Sequence, residues 1–87
     1  MHDKALASRA CNIREVFARN LRKARNVKGL SQEALAYEAG VDRTYISALE
    51  RGVYSATIDM VGKLAAVLEI EPSALLERQT KSRARKV

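Results

Sequence analysis

The chain has 87 residues, 47% of them apolar, with four glycines, one proline and a formal net charge of +6. A chain of this length forms one small domain that buries only about 60% of its unfolded surface, so its stability is expected to be marginal and a second copy would add buried area. The composition excludes a disordered chain, a lone Cys11 and a lone His2 exclude an internal disulfide and a metal site, and the longest apolar run, residues 64–68, is too short to span a membrane.

The charge is unevenly placed. Residues 1–29 hold eight Lys or Arg against two acidic residues, residues 30–77 hold three against eight, and residues 78–87 hold five against none. The middle of the chain is therefore acidic, and net charge alone does not mark a surface for a polyanion. No apolar core of a secretion signal precedes the first helix, so a cytoplasmic protein is expected.

Residues 1–11 carry weak signals and form an extension. Asn12 followed by Glu15 fits a capping-box variant. Ile13, Val16, Phe17, Leu21 and Ala24 then make a helical apolar stripe, with Arg14, Arg19, Arg22 and Lys23 around it. Lys28-Gly29 ends this helix with a cation near its negative terminus and a glycine at its cap.

Two short helices follow. Ser31 is a good N-cap, and Leu30 and Leu35 have the spacing of a hydrophobic staple. Gly40 falls just past the end of the second helix, where a left-handed residue costs glycine nothing. Asp42 is a second capping residue, with Val41 and Ile46 as its staple. Two capped helices joined by a tight glycine turn make a helix-turn-helix.

In such a unit the second helix enters a DNA major groove with its N-terminal residues facing base edges. Those residues here are Arg43, Thr44 and Tyr45, with Ser47 one turn on. Arginine can donate two hydrogen bonds to one guanine, and a threonine methyl can pack on a thymine methyl. Ile46 and Leu49 share the inward face, which leaves 43, 44, 47 and 48 outside. The methyl of Ala48 offers only an apolar contact, so readout is expected to lean on DNA shape as well.

After a loop over residues 52–56, Thr57 or Ser55 caps a fourth helix carrying Ile58, Val61, Leu64, Ala65 and Leu68 on one face. Gly62 within it weakens the helix and is expected to mark a close contact. Glu71-Pro72 opens a short fifth helix, with Leu75 and Leu76 on its apolar edge. Residues 78–87 lose all apolar periodicity and read as a basic tail. The expectation is an all-α, five-helix domain over residues 12–77.

Leu30-Ser31-Gln32-Glu33, Leu35-Ala36, Gly40-Val41, Tyr45-Ile46-Ser47 and Leu49-Glu50-Arg51-Gly52 resemble the Cro/phage-repressor type of helix-turn-helix. The run from Asp42 to Ser47 is especially similar to restriction–modification controller proteins. The resemblance spans residues 13–77. It implies that Gln32 binds a phosphate and braces the recognition helix, and that Arg25 bridges to Glu50, with its remaining donors able to reach a phosphate.

Arg22, Arg51 and Lys63 are generic phosphate candidates, and Thr57 would serve as both cap and phosphate contact. Each of these has a plain alternative as a solvated charge or simple cap, and Tyr45 stands between backbone contact and packing. Dimer contacts are expected from Ile70, Leu75 and Leu76, residues that equally well belong to the core of one copy. The scattered carboxylates and the absence of a histidine near any serine argue against an enzyme, and no cofactor or small-molecule ligand is implied. The expected function is a sequence-specific regulator binding double-stranded DNA as a homodimer. A protein-interaction module of the same fold, favoured by the acidic middle segment, is the alternative.

Overall fold

The computed structural model describes residues 13–78. Within them the chain forms α1 (Ile13–Lys28), α2 (Gln32–Ala39), α3 (Arg43–Glu50), α4 (Ile58–Leu68) and a 3-10 helix (Pro72–Leu76). The all-α class agrees with the sequence, but the fifth helix is 3-10 rather than α. Five residues opening on a proline are too few for an i→i+4 ladder, and Ala74 N instead donates to Glu71 O at 2.9 Å. The carbonyls of Leu75 and Glu77 are also drawn away, because Asn20 Nδ2 donates to them at 3.0 and 2.8 Å. The expected Asn12 cap, residues 1–11 and residues 79–87 of the basic tail lie outside the described residues.

The caps form where local chemistry permits them. The Ser31 hydroxyl accepts from Ala34 N at 2.9 Å, and the Thr57 hydroxyl accepts from Met60 N at 3.0 Å. Thr57, rather than Ser55, is thus the cap of α4. Gly40 takes φ 73°. Its N–H donates to Tyr37 O at 3.2 Å and the N–H of Val41 to Ala36 O at 2.9 Å, the paired bonds of a Schellman turn. Asp42 departs from expectation: it holds the N-cap backbone geometry, but its side chain makes no capping hydrogen bond and stays in solvent.

Leu21, Leu35, Ile46, Leu49, Leu64 and Leu75 are completely buried and come from all five elements. Phe17 and Leu21 bring α1 into this core, where α1 packs on α3 and on the 3-10 helix, α2 packs on α3 and α4, and α4 packs on the 3-10 helix. Two apolar positions expected inside are not: Ile58 is 87% exposed and Ile13 46%. Met60 turns toward the core in place of Ile58. Lys28 Nζ donates to Glu69 Oε1 at 2.6 Å, tying the ends of α1 and α4. That ammonium holds the Glu69 carboxyl below its usual range, so the bridge contributes above the ordinary carboxylate pKa and is lost as pH falls through the lowered one.

Gly62 does not mark a close contact, because a Cβ built there meets nothing within 4 Å. Its cost to α4 is therefore not offset by packing. Gly62→Ala is expected to raise unfolding free energy by about 1 kcal/mol in thermal or urea denaturation. A loss of stability would mean that space at this position is needed.

Candidate nucleic-acid interface

The turn at Gly40 sends α3 across the end of α1 with one face in and one face out. Ile46 and Leu49 are fully buried, whereas Arg43 and Thr44 are exposed. Tyr45 and Ser47 are half-buried. Ala48, expected outside, is 5% exposed. The chain leaving α3 folds back over it, with Val53 N and Tyr54 N donating to Ala48 O at 2.9 and 3.5 Å. The outward strip therefore runs along Arg43, Thr44 and Ser47, with the edge of Tyr45 beside it.

The Tyr45 ring lies 6.1 Å from that of Tyr54, tilted by 40°. Tyr54 comes from the loop after α3 and is half exposed, so two phenols sit side by side at the rim of the outward strip. Nothing in the local sequence ties residue 54 to residue 45. Only the backbone reversal at Ala48 brings them together.

Glu50 is the anchor of α3. Its carboxylate is 3% exposed. It accepts from Arg25 Nε at 2.6 Å, Arg25 Nη2 at 3.0 Å and Gln32 Nε2 at 3.0 Å. Arg25 Nη1 also donates to Leu30 O at 2.8 Å, and Arg22 Nη1 donates to Glu50 O at 3.1 Å. One carboxylate thus joins α1, the start of α2 and the end of α3, and Arg25 carries the link on to the turn before α2. The hydrogen-bonded carboxylate of Glu50 raises the Arg25 guanidinium above its ordinary value, against the opposing effect of burial.

The remaining predicted residues separate into groups. Arg22 and Arg51 line one cleft, together with Arg19, Glu15 and Gly52. Arg19 joins them because it is one turn before Arg22 on α1, a spacing visible in the sequence but passed over there. Thr57 is occupied as a cap, and Lys63 is exposed on α4 away from that cleft. Ile70, Leu75 and Leu76 are not brought onto one surface. Leu75 is wholly inside this chain's own core, Ile70 lines a groove with Val27 and Ala74, and Leu76 lines another with Ile13 and Val61.

Two helices joined through a left-handed glycine, the second presenting an uncovered N-terminal edge, define a helix-turn-helix. The chain belongs to the helix-turn-helix family, whose sequence profile matches residues 21–75. It is 40% identical over 70 residues to control protein C.BamHI of Bacillus amyloliquefaciens, covering 79% of this chain and 86% of that one. The crystal structure of the restriction–modification controller protein C.AhdI from Aeromonas hydrophila superposes with a TM-score of 0.67 at 45% identity, over 69% of this chain and 91% of that one. The biofilm regulator SinR in complex with DNA gives a TM-score of 0.67 at 32% identity, over 70% and 98% of the two chains. The resemblance to controller proteins drawn from the run Asp42 to Ser47 agrees with these relatives. Among the described residues no helix is long and apolar enough to cross a membrane.

Proposed function

We propose that this protein is a DNA-binding transcription regulator that reads an operator with the N-terminal part of α3. The observation that carries the reading is the division of α3 between buried Ile46 and Leu49 and exposed Arg43 and Thr44, on a helix locked in place by Glu50. Arg43 is the base-reading residue of choice, with Thr44 and Ser47 beside it and Tyr45 at the rim. The relatives named as controller proteins and a DNA-bound regulator of the same fold support it.

Two copies on an inverted repeat would set their recognition helices about 34 Å apart, one helical turn. Binding would then act by occupancy, blocking or recruiting polymerase according to where the operator lies. Around each α3, Arg22, Arg51 and the last amide N–H of Gln32 are the phosphate donors, with Lys63 and Thr57 at the start of α4 farther out. Arg25 is committed to Glu50 and Leu30, so its part is structural.

Fluorescence anisotropy against a random duplex at rising salt tests the reading. Binding is expected, with log K falling linearly in log salt by about 0.9 for each neutralised phosphate. Arg51→Gln is expected to reduce that slope by about one and to weaken all sequences alike. A protein that acts only on other proteins would show no salt-dependent binding.

A further inference from the structure

Val27 stands near the end of α1, past the part of that helix that enters the core, and is 80% exposed. It is not an isolated apolar residue. With Ala24 one turn before it, Val27 forms one wall of a groove whose other wall is Leu68, Ile70 and Ala74, from the end of α4, the turn after it and the 3-10 helix. Along α1 the groove runs from Asn20 to Lys28, about 12 Å or roughly two helical turns. Lys23 and Lys28 line it, and no carboxylate does. Lys28 is held by Glu69 at 2.6 Å, whereas Lys23 is exposed and unpaired among the described residues.

We propose that this groove docks an amphipathic helix of another protein, with the aliphatic stripe of that helix on Val27 and Ile70 and one of its carboxylates on Lys23. An apolar trough of this length suits side chains spaced i, i+3, i+4 and i+7, which a helix supplies in a row. Charge selects the occupant. A second copy related by a two-fold axis would set Lys23 and Lys28 against the same lysines. Residues 78–87, with five Lys or Arg and no acid, are repelled by them as well. A nucleic-acid backbone gains nothing from the aliphatic floor. An acidic amphipathic helix satisfies both the floor and Lys23.

The groove opens on the side of α1 turned away from α3. Arg22 and Arg25 face α3, where they donate to the carbonyl and the carboxylate of Glu50. At about 100° per residue, Val27 projects about 140° from Arg22 and about 160° from Arg25 around the helix axis. A helix seated in the groove therefore stays clear of the outward edge of α3. Docking there does not depend on what that edge binds.

Fluorescence anisotropy of the full chain, without DNA, against a labelled helical peptide of about 15 residues tests the proposal. The peptide carries leucines at i, i+3, i+4 and i+7 with glutamates beside them, and a second peptide has lysines in place of the glutamates. The wild type is expected to bind the glutamate peptide about 5-fold tighter than the lysine peptide, or better. Val27→Asp should weaken that binding about 10-fold or more. Lys23→Glu should reverse the preference between the two peptides, which a purely structural role for the lysine would not produce. Both variants should keep the helical circular dichroism and the sedimentation velocity of the wild type, because neither residue belongs to the core. A wild type that binds neither peptide or both equally, undiminished binding by Val27→Asp, or an unreversed preference in Lys23→Glu would each overturn the proposal. So would dissociation of a wild-type oligomer by Val27→Asp, since the groove would then belong to a contact between copies. Because DNA is absent, none of these results bears on Arg43 or on operator binding.

Discussion

Arg25→Ala is expected to lower the unfolding free energy by about 3–5 kcal/mol, a large part of what a domain of this size has. The side chains of Arg25 and Glu50 are 12% and 3% exposed, so removal of the guanidinium leaves a buried carboxylate held by the Gln32 amide alone. Leu30 O loses its donor at the same time. Urea denaturation followed by circular dichroism measures the change. A loss below about 1 kcal/mol would place the pair with ordinary surface bridges and remove it as the anchor of α3. Because the damage comes from an orphaned charge rather than from the loss of attraction, Arg25→Met combined with Glu50→Leu should recover most of the stability.

Arg43→Ala is expected to cost about 1–3 kcal/mol at the cognate operator, that is, a roughly 5- to 150-fold loss of affinity, with relaxed preference at one base pair. Its stability should stay within about 0.5 kcal/mol of the wild type, because the side chain is exposed and makes no bond that the fold depends on. This separation distinguishes Arg43 from Arg25. One guanidinium serves the surface and the other holds the helix that presents it. A variant at position 43 that unfolds the protein would contradict that division of labour.

The helix-turn-helix was legible because its signals are local. Ser31, Gly40 and Thr57 act on backbone groups within a few residues, so their sequence spacing is their geometry. The inward face of α3 followed from period alone for Ile46 and Leu49. Ala48 was misplaced because its cover arrives from the loop after α3, and helical period carries no information about where a following loop turns. Asn20 was invisible for a similar reason. A polar residue on a helix reads as surface, yet Asn20 is 6% exposed and meets carbonyls 55 and 57 positions away. Ile58 fitted the apolar stripe of α4 but sits at its first turn, beyond the edge of the core, and Met60 took the inward place.

The Arg25–Glu50 pair and the Gln32 brace came from family resemblance rather than from composition or period. No local rule links residues 25, 32 and 50. The structure gives the physical content of that pattern: a single buried carboxylate with three donor groups from two other elements, holding α3 in place. The residues expected at a dimer contact are a different case. Ile70, Leu75 and Leu76 cluster in sequence, but the tight 3-10 turn points Leu75 into the core and divides the other two between separate grooves.

The most direct test of the central claim is a cross-titration of wild type and Arg43→Ala against an operator selected from a random library and every single-base-pair variant of its half-site. The account predicts that the wild type discriminates at one base pair by about 1–3 kcal/mol and that Arg43→Ala loses discrimination at that pair alone. If the variant instead weakens by the same factor on every duplex, including scrambled DNA, Arg43 is not reading a base and the outward edge of α3 is not the recognition surface.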